Sequence, residues 1–200
     1  MSTPRKTPRQ QRSEFTFDAI LDAAARLFHQ HGYAATTTNK VAELAGVSIG
    51  TLYHYVPNKD ALLFALAERH LRQAAHALLT EAAALRADQP PLGETVHRLI
   101  TAVAHLHSAQ PRMHRLLFEQ APRTPEGVAQ LRQLEQRLAD EVTYHLCRLD
   151  VGGSDPALTA LLFVQAVEAQ VHGAVLNPPS GRTTEQCVQA VIDFWTRSLT

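Results

Sequence analysis

The chain has 200 residues, 45% of them hydrophobic and 19% charged, and its 19 basic and 19 acidic side chains cancel to a formal net charge of zero. This length can bury a substantial core, as one compact domain or as a small domain joined to a larger one. Cys147 and Cys187 lie too far apart for a metal knuckle and are too few for a secreted disulfide scaffold, so a reducing cytoplasm is expected; neither a targeting segment nor an apolar window of membrane-spanning length is expected.

Leucine and alanine dominate, β-branched residues rarely cluster, and apolar positions recur at helical spacing, which predicts an all-α fold of about nine helices. Charge is unevenly divided. Residues 1–60 hold 7 basic and 5 acidic side chains and residues 61–200 hold 12 and 14, so the first stretch attracts nucleic acid and the second does not. Residues 1–12, with Arg5, Lys6, Arg9, Arg12 and two prolines, read as a flexible basic arm that either reaches DNA or stays solvated.

A first helix follows, with Phe17, Ile20, Leu21, Ala24, Leu27 and Phe28 along one stripe and Gly32 at its end; it braces the two helices after it. In the second, Val41, Leu44 and Ala45 stand at i, i+3 and i+4, Gly46 can take the left-handed conformation that stops the helix, and Val47 packs inward. Ser48 is placed to cap a third helix, with Leu52 inward and Ile49, Gly50, Tyr53 and His54 outside. Two short helices with a tight turn between them are helix-turn-helix geometry, whose second helix enters the major groove. The DNA-binding domain is expected over residues 13–58, with residues 59–200 forming a second helical domain.

Asn58 offers an N-cap for a long helix near 59–86, the mechanical connection to the rest of the chain, which Asp88-Gln89-Pro90-Pro91 stops. A fifth helix near 92–109 shows Val96, Leu99, Ile100, Val103 and Leu106 on one side. Pro111 can start a sixth, bounded by Pro122 and Pro125. The seventh carries Leu131, Leu134, Leu138, Val142, Leu146 and Leu149 until Gly152-Gly153 breaks it. An eighth opens at Asp155-Pro156 and runs to Leu176, and a ninth shows Val188, Val191, Ile192, Trp195 and Leu199.

The segment near the start also closely resembles the DNA-binding domain of the TetR family of transcriptional regulators. Gly32-Tyr33, Thr36-Thr37, Ala45-Gly46-Val47-Ser48, Gly50-Thr51-Leu52-Tyr53-His54-Tyr55 and Lys59 through Leu62 fall in that family's register without a gap, within residues 13–65. Val56 departs from the family's usual aromatic residue. The resemblance implies that Thr37, Thr38, Tyr53 and Lys59 clamp phosphates, as hydroxyls and ammonium groups beside helix starts do. Base reading needs short side chains near the start of the recognition helix: Ser48, Ile49, Gly50 and Thr51 fit, with His54 one turn later and Asn39 close by.

The family's regulators are homodimers, and the resemblance implies a repressor released from a palindromic operator when a small effector enters a pocket enclosed by helices four to eight, moving helix four. Expected pocket residues are His70, His105, Met113, His114, Phe118, Tyr144, Phe163, Gln165 and His172, which supply aromatic, polarisable and hydrogen-bonding groups. The eighth helix is apolar around most of its circumference, so one face can join its own core and another a partner. Leu162, Ala166, Ala169 and Gly173, with Val188, Ile192 and Trp195 on the ninth helix, form the expected dimer interface.

Eleven histidines invite a metal reading, but no two stand at i, i+4, and His105 and His107 point to different sides of a helix, so neither metal nor cofactor is expected. The chain lacks a glycine-rich phosphate loop, a strained serine turn and a Glu-His metal motif, so no enzymatic activity is expected. A helical docking module that never touches DNA is the remaining alternative; the ordered set Thr37, Tyr53, His54 and Lys59 stands against it.

Overall fold

The computed structural model describes residues 8–109, 111–121 and 124–200, with side chains from Ser13 onward except that of Phe118. Among the described residues there are nine α-helices and no strand. The chain forms two units, one of Met1–Arg69 with Arg112–Pro122 and one of His70–Pro111 with Arg123–Thr200. The division falls between Arg69 and His70, inside a continuous helix, rather than at the expected boundary after Asn58.

The first unit holds α1 (Pro8–Ala35), α2 (Thr38–Leu44), α3 (Ile49–Tyr55), the first turns of α4 (Lys59–Asp88) and nearly all of α6 (Pro111–Gln120). Its core joins Ile20, Leu21, Ala24, Leu27 and Phe28 of α1 to Val41, Leu52, Leu62, Leu63, Leu66, Met113 and Leu117. Residues 8–12 of the expected arm are helical, Pro8 opening the helix where its missing N–H is harmless; residues 1–7 lie outside the described residues. Gly32, at φ 77°, ψ 167°, breaks the helical backbone where the sequence places the stop, and a short turn carries α1 on to Ala35. Leu44 is 48% exposed, a correction to the expected stripe: on this two-turn helix the inward positions are Val41, Ala42 and Ala45. Gly46 at φ 67° stops α2, Ser48 caps α3, and Asn58 Oδ1 accepts the Ala61 N–H at 2.8 Å at the start of α4.

The second unit holds the rest of α4, α5 (Leu92–Ser108), α7 (Pro125–Arg148), α8 (Pro156–Gln170), which widens into a π turn (Val171–Val175), and α9 (Thr184–Ser198). Val96, Ile100, Val142, Leu146, Phe163, Val167, Val171, Val175, Ile192 and Leu199 form its core. Leu131 is 45% exposed, because periodicity marks a face but not how far along a helix its neighbours reach to cover it. Thr124, Asp155 and Thr183 cap α7, α8 and α9, the last in a reciprocal capping box with Gln186. Arg98 bonds Glu81 and Asp88 at 2.6 and 2.7 Å, and Arg148 bonds the Pro90 carbonyl, so the loop after α4 is tied to its neighbours.

Pro156–Val175 is long and apolar enough to cross a membrane by length and composition, contrary to the sequence expectation, yet only 28% of that window is buried inside the chain. Its inward side chains join the second core, and Glu168 interrupts it. What remains is an uncovered apolar helix face.

Candidate nucleic-acid interface

The interface is built on two capped helices. Thr37 Oγ1 accepts the Lys40 N–H at 3.3 Å and Ser48 Oγ accepts the Thr51 N–H at 3.0 Å, each oxygen satisfying a helix-start amide. The Ser48 and Thr51 hydroxyls are also paired at 2.8 Å. Leu52, fully buried, anchors α3, which leaves Ile49, Gly50, Tyr53 and His54 exposed on its other side. Thr37 and Asn39 are exposed as well, and Thr38 is half-buried. The Thr38 and Tyr53 hydroxyls pair at 3.1 Å and so join α2 to α3 on this face. A Cβ added at Gly50 would meet only Ser48 Oγ, at 3.8 Å, so internal packing does not demand glycine there. Its effect is to leave bare backbone on the exposed side of the helix.

Lys59 is anchored rather than extended. Its ammonium donates to the Tyr33 and Ala34 carbonyls at 2.7 and 3.5 Å and lies 4.2 Å over the Tyr33 ring. Lys40, which the sequence reading did not single out, donates to the Ala35 carbonyl at 3.2 Å. Two ammonium groups therefore gather on the carbonyls of Tyr33, Ala34 and Ala35, which follow the break at Gly32 and so lack helical partners of their own. An ammonium has three donors, so both lysines keep capacity for an anion. The Tyr33 hydroxyl donates to Asp60, and burial, then that bond and the Asp60 charge, push its pKa up to about 12.

The expected effector residues are distributed over both units. Met113 and His114 are buried in the first unit, His105 and Gln165 are exposed, and the Phe118 side chain lies outside the described residues. Phe163 is core, edge-on to Trp195 at 5.0 Å. Tyr144 accepts a bond from Gln89 at 2.7 Å and faces Arg86. Two surface depressions of the second unit, of about 760 and 530 Å³, are lined by none of these residues.

His172, one of the expected pocket residues, belongs to a cluster within the second unit. His172 Nε2 lies 2.9 Å and His107 Nε2 3.2 Å from the same oxygen of Glu168. Burial raises the Glu168 carboxyl, but the bonds and charge of His107 and His172 outweigh it and hold it well below the usual carboxylate range. Burial likewise lowers His107, and Glu168 with the Val103 carbonyl more than compensates, leaving it raised. His70 is lowered by burial and by the His107 charge, against Glu168. His107 and Glu168 were missed by the sequence reading. The available signals were a histidine continuing the buried row Val96, Ile100, Val103, and a glutamate at i, i+4 from His172.

On α8 and α9, Leu158 and Leu162 are each 52% exposed and Phe194 49%. Ala169 and Gly173 share that outer side, and Ala166 and Val188 are half-buried. Ile192, expected at an interface, is instead 5% exposed in the second core, and Trp195 donates to Gln170 at 2.9 Å while packing on Phe163. An apolar stripe on a helix does not by itself say which of its members face their own core.

Residues 20–66 match the family of bacterial regulatory proteins, tetR family, and residues 91–197 match the tetracyclin repressor-like C-terminal domain. YhgD, an uncharacterized HTH-type transcriptional regulator of Bacillus subtilis (strain 168), is 28% identical over 176 residues, covering 82% of this chain and 87% of the relative. Other curated HTH-type regulators match over 31–36% of their own length. A TetR/AcrR family regulator from Thermobifida fusca YX-ER1 shares the fold with a TM-score of 0.71 at 20% identity, over 90% of this chain and 95% of that one. AibR, solved with isovaleryl coenzyme A and operator DNA, shares it with a TM-score of 0.60 at 21% identity, over 90% of this chain and 97% of that one.

Proposed function

We propose, since the chain belongs to the TetR family of DNA-binding transcriptional regulators, that it is a cytoplasmic homodimeric repressor released from a palindromic operator by a small-molecule effector. The observation that carries this reading is the exposed face of α3, where Ile49, Gly50, Tyr53 and His54 stand outward from a helix held by buried Leu52. Ser48, Ile49, Gly50, Thr51 and His54, with Asn39, would meet base edges. Thr37, Thr38, Tyr53 and Lys59 would hold phosphates, with Lys40 beside Lys59. Ile49 has no hydrogen-bonding group and suits a thymine methyl.

Dimerisation is supported by the outer apolar side of α8 and α9, where Leu158, Leu162 and Phe194 are half exposed and Ala169 and Gly173 permit close approach. Two copies would set their recognition helices about 34–36 Å apart, one turn of the duplex. Effector control is supported by likeness to AibR, whose complex holds both a coenzyme A thioester and operator DNA. A coupling of about 1–3 kcal/mol would change operator affinity roughly 5- to 150-fold.

Binding of the chain to duplex DNA from its own upstream region, measured across rising salt, tests the reading. About six to ten phosphate contacts make affinity fall roughly 10³- to 10⁵-fold between about 50 and 200 mM salt. No binding at the lowest ionic strength would overturn it.

A further inference from the structure

We propose that His107, Glu168 and His172 form a binding site for one divalent transition-metal ion in the second unit, a site that goes beyond the regulatory reading above and does not depend on it.

The geometry begins with a backbone carbonyl. His107 Nδ1 lies 2.7 Å from the Val103 oxygen, which can only accept, so Nδ1 carries a proton and donates it. That fixes the ring and turns Nε2 toward Glu168. Metal-binding histidines are held in this way, one nitrogen donating to a carbonyl or carboxylate and the other facing the ion. His172 Nε2 approaches the same Glu168 oxygen from one helical turn away, and the two imidazoles stand edge to face with centroids 4.8 Å apart. The three donor atoms come from two elements, α5 and the α8 helix with its π turn.

The separations suit a small ion. Ligands about 2.0–2.1 Å from a tetrahedral zinc lie roughly 3.3 Å from one another. The His107–Glu168 and His172–Glu168 contacts, at 3.2 and 2.9 Å, need shifts of only a few tenths of an ångström to match. Two imidazoles and one carboxylate select zinc, cobalt, nickel or copper over magnesium or calcium, which prefer all-oxygen shells. They also leave a coordination position open. His107 is buried, His172 half-buried and the Glu168 side chain 47% exposed, so an ion could reach the site from solvent on the Glu168 side.

The test uses full-length protein stripped with a chelator and titrated with Zn²⁺ by calorimetry and with Co²⁺ by visible absorption, without DNA. The expected result is one ion per chain at micromolar or tighter affinity, with Co²⁺ bands of a nitrogen–oxygen site. Glu168→Gln, which keeps the shape of the side chain, and His172→Ala should each weaken binding at least about tenfold. His97→Ala, which removes an exposed histidine, should leave it unchanged. Circular dichroism of every variant checks that the helices persist. Absence of stoichiometric binding by the parent chain, or binding that survives Glu168→Gln and His172→Ala in folded protein, would overturn the assignment.

Discussion

Thr38 and Tyr53, fifteen residues apart and on different helices, bring their hydroxyls within 3.1 Å of each other on the exposed face of the helix-turn-helix. A pair of hydroxyls placed there does two things. It ties the end of the recognition helix to its partner, and it presents adjacent polar groups to whatever lies against the face.

Removing the phenol tests the second role. Hydrogen bonds to charged groups contribute about 1.5–3 kcal/mol, so Tyr53→Phe should weaken operator binding at least about tenfold. Fluorescence anisotropy with a labelled duplex measures it, and far-ultraviolet circular dichroism should be unchanged because the ring is half exposed and leaves the core intact.

The turn after α7 offers a stability contrast between neighbours. Gly152 has φ 97°, and a Cβ there would sit 3.0 Å from Leu146 Cδ1, whereas one at Gly153, φ 73°, would meet nothing. Gly153→Ala should therefore cost about 1–2 kcal/mol from backbone strain alone. Gly152→Ala adds a clash with the core and should cost roughly 1–3 kcal/mol more. Urea denaturation of the two variants side by side measures the difference.

His145 makes stability depend on pH. It is buried in α7, its Nδ1 accepts the Arg148 Nε–H at 2.9 Å, and its Nε2 has no partner. Burial, then the Arg148 charge, with Arg86 adding to them and Glu141 opposing, lowers its pKa from 6.5 to about 4. Between those values the unfolded chain binds the proton and the folded chain does not, so stability rises with pH across the window. The contribution of His145 is complete above 6.5 and is lost as pH falls toward 4. Tm should fall steadily over that range, and His145→Gln should fall less steeply.

The outer face of α8 gives a prediction about assembly. Leu162→Glu should yield monomers by sedimentation velocity, since it places a charge on the half-exposed row. Ile192→Ala, on the other hand, should lower stability by about 2–5 kcal/mol as a core truncation and leave the dimer formed at micromolar concentration. A Leu162→Glu variant that remains dimeric would move the interface elsewhere.

The helices were legible because caps, prolines and glycines punctuate them: Ser48, Asn58, Pro111, Asp155 and Gly46 all act where the sequence places them. The recognition face was legible because a single ungapped segment holds it. Side-chain direction was less so. Leu44, Leu131 and Ile192 sit on apolar stripes, yet two face solvent and one faces the core, since a stripe is wider than the contact that covers it. The anchoring of Lys59 on the end of α1 depends on the kink at Gly32, and residues 26 positions apart carry no local signal of meeting. The His107–Glu168–His172 cluster escaped for a similar reason: only the pair on one helix has a readable spacing, and the third member arrives from α5.

Phe163, Val167, Val171 and Val175 are all buried and spaced by four along α8 and its π turn. In a regular α-helix such a row winds about 40° around the axis at each step, because four residues advance about 400°. The widened turn, in which the Leu176 N–H reaches the Val171 oxygen at 3.0 Å, is under-wound and turns the last step back. Of the outward residues Gln165, Ala169 and Gly173 only the last lies in the widened turn, so only the step from Ala169 to Gly173 is turned back with it. Two rods touch only for as far as their seams stay parallel, so in the proposed dimer one slackened turn would hold the seam to the rod at the C-terminal end of α8 alone.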